Sequence, residues 1–290
     1  MTEPSSQPSH LRTLLILGRT SNLPTVWSNC LAGWLIGGGG NWERYILLNL
    51  GATLLYLGGM FLNDAVDADW DRQHKNDRPI ARGHISTREV WNWSLGLLLV
   101  GSLMLVPLGT DTGICGVLLL LFIVLYDVFH KGLSWSPVLM CLCRFFLILA
   151  AASVGVAGIT GLSVWSATVM ACYVAGLSYL ARSESIPGVL RYWPLVLLAA
   201  PVVLAFLIND TSHQLTGLAF SLVLVAWVTW RLWFTYGHEK PMIGKTISGL
   251  LAGIVLVDLL SVLGGPFPLP MVFIGLFGLA LLFQRHIPAT

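Results

Sequence analysis

Residues 45–71 read YILLNLGATLLYLGGMFLNDAVDADWD, an apolar run that ends abruptly in acidic residues. The apolar part has the length that an α-helix needs to cross a bilayer, roughly 20 residues. Similar runs recur along the 290-residue chain, of which 56% is hydrophobic and only 10% is charged. Soluble domains carry a larger charged share, roughly 25%. The composition therefore predicts a membrane protein that crosses the bilayer several times.

Apolar stretches of this kind occur throughout the chain. We count ten candidate spans, near residues 24–40, 45–64, 89–108, 113–130, 138–158, 164–182, 190–208, 215–236, 245–262 and 268–284. They are continuous rather than alternating, and lipid leaves open backbone groups unsatisfied, so we expect helices and not a β-barrel. The prediction is an all-α polytopic bundle in a single domain, residues 1–290. Within it, residues 1–18 form a leader whose segment Leu11–Leu17 is expected to lie along the membrane surface.

Positive charge is distributed unevenly between the loops. Of the sixteen Lys and Arg residues, only Arg44 falls in a loop on the side reached after an odd number of spans. The loops on that side carry Glu43, Asp111 and Asp210 instead. Because short cytoplasmic loops are enriched in Lys and Arg, we expect both termini and the acidic segment to face the cytoplasm. The expected location is the inner membrane of the cell.

The acidic segment has a helical spacing. Asn63, Asp67 and Asp71 stand at i, i+4 and i+8, which on a continuing helix gives one stripe about 12 Å long. Asp64 flanks the stripe, and Asp69 points away from it. Mg²⁺ prefers oxygen ligands and often shares the phosphate oxygens of a substrate. The pattern favours a site for a metal–diphosphate complex; the alternative is a solvated helix end at which acids happen to cluster.

Cationic side chains follow on the same side of the membrane. Arg72 and Arg78 lie in the next loop, Lys131 ends the fourth span, and Arg144 lies inside the fifth. Arg and Lys beside acidic ligands suit a polyanion whose remaining oxygens need donors. A cytoplasmic loop is basic in any case, so each loop cation is also explained without a ligand. An arginine within a span needs a partner or an anionic ligand, which favours a functional Arg144.

These residues resemble the UbiA family of intramembrane prenyltransferases. The acidic segment matches that family's first motif, NDxxDxxxD, in full. Four shorter patterns also match: Arg-x2-Asn at Arg19 and Asn22, Arg-Pro…Gly at Arg78, Pro79 and Gly83, Tyr-x4-Lys at Tyr126 and Lys131, and Met-x3-Arg at Met140 and Arg144. The resemblance extends from Arg19 to about Leu260.

The resemblance implies nine or ten transmembrane helices around a central cavity, in which two Mg²⁺ ions hold a polyprenyl diphosphate. The prenyl tail would extend into the membrane lipids' apolar region, and a lipophilic or amphipathic acceptor would enter from the side. The implied metal ligands are Asn63, Asp64, Asp67, Asp71 and Glu184. The implied diphosphate contacts are Asn22, Arg72, Arg78, Lys131 and Arg144. The implied catalytic residues are Asp67, Asp71, Lys131 and Tyr126, the last stabilising a developing allyl cation.

The chain departs from the family pattern at two places. The second acidic motif, DxxxD at the end of the sixth span, is reduced to residues 182–185, where Glu184 is the only acid. An additional apolar segment follows near 268–284, and Asp258 lies within the preceding span. Acids within a span are functional candidates. These features resemble a divergent bacterial branch of the family, the EboC-like proteins.

Three functional hypotheses follow. The leading one is Mg²⁺-dependent transfer of a prenyl group from a polyprenyl diphosphate to an unidentified acceptor, with no nucleic acid partner. The alternative is a non-catalytic relative that binds or translocates a lipid or metabolite, which the reduced second motif favours. A transferase that uses CDP-alcohols would carry a longer Asp pattern with interleaved Gly and Arg, and the sequence lacks it.

Overall fold

The computed structural model describes residues 9–74, 78–182, 192–203, 214–264 and 268–289, and no β-strand occurs among them. The α-helices of this part are α1 (His10–Leu17), α2 (Leu23–Ile36), α3 (Trp42–Val66), α4 (Ala68–His74), α5 (Thr87–Leu105), α6 (Thr110–Phe129), α7 (Ser136–Val154), α8 (Gly161–Arg182), α9 (Pro194–Leu198), α10 (Gln214–Tyr236), α11 (Ile243–Ser261) and α12 (Leu269–His286). Short 3-10 helices, Thr20–Asn22 and Val106–Leu108, precede α2 and follow α5. The all-α prediction is confirmed.

In the described part of the chain, eight helices are long and apolar enough to cross a membrane: α3, α5 with its 3-10 extension, α6, α7, α8, α10, α11 and α12. The protein is an integral membrane protein, as predicted, but the count of nine or ten spans is not confirmed. The first expected span, 24–40, is the 14-residue helix α2, which ends where Gly38–Gly40 take positive φ. The seventh, 190–208, is described only over residues 192–203, which contain the short apolar helix α9 (Pro194–Leu198).

Helix α11 lies at the centre of the bundle. It contacts α2, α8, α10 and α12, and it is the most buried of the eight spans. Its surface is apolar almost all round, which is typical of a helix surrounded by protein rather than of an amphipathic one. Asp258 is the acidic residue of this helix, and it is only 1% exposed.

Helices α3 and α5 approach each other closely through glycines. A Cβ added at Gly101 would lie 2.9 Å from the carbonyl oxygen of Gly51 and 2.9 Å from the amide nitrogen of Leu55. Small residues let backbones of membrane helices pack together where lipid provides no hydrophobic driving force. This contact holds α3, and with it the acidic segment, in a fixed place.

The two ends of the bundle differ. At one end, the C-terminal ends of α3 and α6 meet the N-terminal ends of α2 and α7, because these four helices pack against one another. At the other end, two loops are joined by their backbones: the amide of Val156 donates to the carbonyl of Gly39 at 3.0 Å, and that of Ala157 to Gly37 at 2.7 Å. The acidic segment lies at the first end, where α3 ends and α4 begins.

Candidate active site

The acidic segment crosses from α3 into α4 without losing its helical spacing. The amide of Asp67 donates to the carbonyl of Asn63 at 3.0 Å, and the amide of Asp71 to that of Asp67 at 2.9 Å. These bonds continue the α-helical pattern although α3 ends at Val66. Asn63 and Asp71 are 7% and 4% exposed. The three residues therefore keep the predicted i, i+4, i+8 arrangement and face protein rather than solvent.

Asp67 is held by two basic side chains from the end of α6. Lys131 Nζ lies 2.6 Å from Asp67 Oδ1, and His130 Nε2 lies 3.2 Å from Oδ2. Partial burial acts to raise the pKa of Asp67, but the hydrogen bonds from His130 and Lys131 outweigh it and hold the pKa below its ordinary value. Burial acts to lower the pKa of His130, yet the contact with Asp67 raises it overall. The geometry thus favours a carboxylate between two cations.

Asp64 is surrounded by arginines. Its Oδ1 lies 3.5 Å from Arg19 Nη2 and 3.4 Å from Arg78 Nη1. Burial acts to lower the pKa of Arg19, but Asp64 and the other acidic groups around it, Asp127 among them, together outweigh burial, so the pKa lies above the ordinary value. Arg19 has φ 41°, a left-handed conformation that is uncommon for a residue other than glycine. Its carbonyl accepts a hydrogen bond from the Tyr56 hydroxyl at 3.2 Å, which helps hold this turn in place.

Asn63 connects Arg19 to a further buried acid, Asp127. Arg19 Nη2 donates to Asn63 Oδ1 at 3.1 Å, and Asn63 Nδ2 donates to Asp127 Oδ1 at 3.2 Å. Asp127 is 2% exposed, and its Oδ2 has no hydrogen-bond partner among the described residues. A buried carboxylate oxygen without a donor is costly. Asp127 thus places a further carboxylate, with one oxygen unpartnered, directly beside the acidic segment.

A cavity of about 320 Å³ opens beside these residues. Its walls are mostly apolar, with side chains from α2, α3, α6, α7, α8 and α11. The polar side chains that line it are Arg19, Asn22, Tyr56, Arg78, Tyr126, Asp127, Arg144 and Ser178. Ligand sites combine an apolar body with a few polar groups that fix orientation. A ligand with a long apolar part and an anionic head matches this lining.

Asn22 lies in the cavity wall with its side-chain amide already engaged. Its Nδ2 donates to the carbonyl of Ala289 at 2.9 Å, and Ser21 Oγ donates to the carbonyl of Pro288 at 3.3 Å. Ala289 itself lines the cavity. The segment that follows α12 therefore folds back onto the residues that begin α2, next to an expected diphosphate contact.

The remaining predicted site residues fall into three groups. Tyr126 and Arg144 line the cavity, and the Tyr126 ring stacks on His130 with centroids 5.4 Å apart. Arg72 is exposed and bonded elsewhere, with Nη1 2.5 Å from Asp69 Oδ1 and Nη2 2.7 Å from Thr87 Oγ1. Glu184 lies outside the described residues. The structure thus brings Asn22, Arg78, Tyr126 and Arg144 to the cavity and leaves Arg72 on the surface.

The candidate metal ligands are of the type that Mg²⁺ prefers, because they are oxygen atoms, from Asn63, Asp64, Asp67, Asp71 and Asp127. The unpartnered Asp127 Oδ2 is an acceptor that a cation would satisfy. Over the described ranges, no three His, Cys, Asp or Glu side chains converge as a metal site does. The physical reason is visible at Asp67, whose two oxygens contact Lys131 and His130. A metal ion would therefore have to take the place of these cations.

Comparison with known proteins identifies the family. A model described as the UbiA prenyltransferase family matches residues 22–241, most of the chain. The chain belongs to this family. The resemblance inferred from the acidic segment and its basic neighbours is confirmed.

Relatives within the UbiA family match over shorter lengths. A 4-hydroxybenzoate octaprenyltransferase of Burkholderia lata is 32% identical over 108 residues, which is 36% of this chain and 38% of that protein. A protoheme IX farnesyltransferase of Macrococcus caseolyticus is 37% identical over 84 residues, 28% of each protein. The matches thus span well under half of these relatives, whose names describe two different acceptors.

A solved structure supports the UbiA fold over nearly the whole chain. A UbiA homolog from Archaeoglobus fulgidus, bound to GPP and Mg²⁺, superposes with a TM-score of 0.65 at 14% sequence identity. The superposition covers 92% of this chain and 99% of that one. At this identity the similarity establishes the shared fold.

Arg19, Asn29, Asp127 and His130 contact this site but were not among the predicted site residues. Asp127 and His130 stand within the Tyr-x4-Lys segment that was singled out, so the acid and the imidazole were visible there as neighbours of Lys131. Asn29 gave no signal, since an amide in an apolar span is not distinctive. Its side chain contacts residues of two other helices, Arg144 on α7 and Asp258 on α11.

Proposed function

We propose that the protein is an enzyme that transfers a prenyl group from a polyprenyl diphosphate to a lipophilic or amphipathic acceptor, with Mg²⁺. The observation that carries the proposal is the cavity: its body is apolar, and Arg19, Arg78 and Arg144 line it beside an acidic cluster. A prenyl diphosphate has the same division into an apolar tail and an anionic head. The relatives named above support transfer as the reaction class.

In this proposal, Asn63, Asp64, Asp67 and Asp71 hold Mg²⁺, and Glu184 contributes to a second site. When bound, the metal supplies positive charge that stabilises the departing diphosphate. Asn22, Arg78, Lys131 and Arg144 bind the diphosphate oxygens through charge-assisted hydrogen bonds. Arg72 would have to leave Asp69 and Thr87 to join them.

The reaction breaks the bond between the allylic carbon and the diphosphate oxygen and joins that carbon to the acceptor, which loses a proton. Positive charge develops on the allylic carbon as the diphosphate leaves. Tyr126 lines the cavity, and an aromatic ring there would stabilise such a cation by a cation–π interaction. The apolar walls exclude water, which would otherwise capture the cation and give a prenyl alcohol.

We further propose that the chain forms one membrane domain over residues 1–290, in the inner membrane, with both termini and the site at the cytoplasmic face. The asymmetry of Lys and Arg between the loops supports this orientation. The proposal names only the class of acceptor, because the relatives' names give an aromatic acid in one case and a haem in the other.

The test compares three aspartates of one segment. D67A and D71A are expected to lose prenyl transfer by at least about a hundred-fold in membranes supplied with Mg²⁺ and a panel of prenyl diphosphates. D69A is the matched control, because Asp69 is exposed and contacts Arg72 outside the cavity. Full activity of D67A and D71A would refute the proposal. Tight binding of diphosphates without turnover of any donor would favour the non-catalytic alternative.

A further inference from the structure

Asp258 is a buried carboxylate within a membrane-spanning helix that the proposed reaction does not use. It is 1% exposed, in helix α11. Its Oδ2 accepts a hydrogen bond from Ser28 Oγ at 2.6 Å and another from Asn29 Nδ2 at 2.7 Å. Ionisable groups at such positions are costly, and they persist where they have a partner and a role. The contacts of Asn29 indicate that role.

Asn29 joins Asp258 to Arg144. Its Nδ2 donates to Asp258, and its Oδ1 accepts from Arg144 Nη1 at 2.6 Å. An amide has one donating and one accepting end. The opposite orientation would place its carbonyl against a carboxylate and its NH₂ against a guanidinium, so both contacts would be repulsive. The carboxylate of Asp258 therefore determines which end of Asn29 faces Arg144.

Arg144 is fixed on one side and lines the cavity with the rest of its side chain. Thr25 provides the other contacts: its carbonyl accepts from Nη1 at 3.1 Å, and its hydroxyl accepts from Nη2 at 2.9 Å. Across the described residues, Arg144 forms no direct ion pair with a carboxylate. Its nearest counter-charge along this network is Asp258, one amide away.

This separation has a physical consequence. A carboxylate in direct contact would occupy the guanidinium donors and repel an anionic ligand. A carboxylate behind a neutral amide still offsets the buried positive charge, because electrostatic interactions are weakly screened in a low-dielectric interior. The guanidinium keeps donors for an anion while its orientation is set by Asn29 and Thr25.

We propose that Asp258 is a positioning residue for diphosphate recognition, acting on Arg144 through the side-chain amide of Asn29. The ligand class is a prenyl diphosphate, so the inference rests on the proposed function. Asp258 lies 114 positions from Arg144 in the sequence, so the inference assigns a distant residue to the anion site. Asp258 touches no substrate in this arrangement.

The test measures binding of geranyl diphosphate with Mg²⁺ to the full-length protein in lipid nanodiscs by titration calorimetry. D258L, which removes charge and acceptor, is expected to weaken binding on the order of ten-fold, since hydrogen bonds to charged groups carry that weight. D258N keeps an acceptor for Ser28 and Asn29 but loses the charge, and it is expected to lose less. Y173F is the matched control, because it removes a buried hydrogen bond to α11, from the Tyr173 hydroxyl to the Leu250 carbonyl at 2.9 Å, away from Arg144.

A double-mutant cycle separates positioning from general stability. If Asp258 acts through Arg144, D258L weakens binding in the wild-type background but adds nothing to R144Q. Unchanged affinity in both D258L and D258N, an equal loss in Y173F, or a full additional loss in the R144Q background would each overturn the inference. A wild-type protein that binds geranyl diphosphate but transfers no prenyl group would refute the proposed function and leave the role of Asp258 intact. A wild-type protein that does not bind it at all would overturn both.

Discussion

The ammonium group of Lys131 lies 2.6 Å from the carboxylate of Asp67, and it also lies 4.3 Å from the centroid of the Trp70 ring. The central acid of the motif thus already has a cation on one oxygen, while His130 contacts the other. In the proposed reaction, binding of a metal to Asp67 would require that these contacts be exchanged. Lys131 released in this way would be free to contact the diphosphate of the proposed donor.

Replacing Lys131 with methionine is expected to separate these two roles. K131M should weaken binding of geranyl diphosphate on the order of ten-fold, because a charge-assisted hydrogen bond is lost. Binding of Mn²⁺ alone, followed by electron paramagnetic resonance, should become tighter, since Asp67 no longer has Lys131 as a competitor. K245M is the control, because Lys245 makes a comparable contact with an aromatic ring, 4.1 Å from the centroid of Phe234. Weaker Mn²⁺ binding in K131M would contradict the exchange.

Asp127 is expected to contribute to the affinity for divalent cations. D127N keeps the shape of the side chain but removes a buried charge whose Oδ2 has no partner among the described residues. The Mg²⁺ concentration for half-maximal prenyl transfer should rise on the order of ten-fold. Thermal stability without metal should not fall, because an unpaired buried charge is removed. D111N, at the start of the same helix, should change neither quantity; an unaltered Mg²⁺ requirement in D127N would rule out this role.

Removal of the segment after α12 is expected to free Asn22. A chain ending at His286 lacks the carbonyls of Pro288 and Ala289 that Ser21 and Asn22 contact. The apparent affinity for geranyl diphosphate should rise by about two- to five-fold, because the state in which Asn22 is bonded to Ala289 no longer competes with ligand binding. The measurement is the KM for the donor, and N22A is the comparison: the truncation should give no gain in that variant. A truncated chain with weaker donor binding would show that the segment forms part of the site.

Two glycines of α5 provide a test of the packing that holds α3. G101A should lower stability by about 1–3 kcal/mol, because the added Cβ would lie 2.9 Å from backbone atoms of Gly51 and Leu55. G96A adds the same methyl group where nothing lies within 4 Å. It should be neutral or slightly stabilising, since alanine favours a helix over glycine by about 1 kcal/mol. Thermal unfolding in detergent compares the two, and equal effects would contradict the close approach.

Much of the fold follows from local sequence. Eight of the ten expected spans correspond to long helices of the described residues, because a continuous apolar run of sufficient length has no other stable form in lipid; these include the runs that form α3, α6 and α7. The stripe of Asn63, Asp67 and Asp71 was likewise predictable, since the helical hydrogen bonds continue past Val66. The i, i+4, i+8 spacing of these three residues was enough to predict this part of the site.

Other features depend on contacts between distant segments. Hydrophobicity alone does not show that Gly38–Gly40 end α2 early, because their positive φ values follow from the loop contacts with Val156 and Ala157. The contact of Asn29 with Asp258 joins residues separated by 229 positions. Arg72 was expected at the cavity from its place beside the motif, yet Asp69 and Thr87 hold it outside. Sequence neighbours share a loop, but packing decides which of them point inward.

Helix α12 is the least buried of the eight described spans, so most of its surface faces lipid. The same helix leads into Pro288 and Ala289, whose carbonyls contact Ser21 and Asn22 at the cavity wall. The Asn22 Nδ2–Ala289 carbonyl distance is 2.9 Å, so a displacement of α12 that lengthened it by more than about 0.6 Å would break this hydrogen bond. Bilayer thickness influences the depth and tilt of a lipid-exposed helix, so a change in thickness that moved α12 would also change how freely Asn22 meets a ligand.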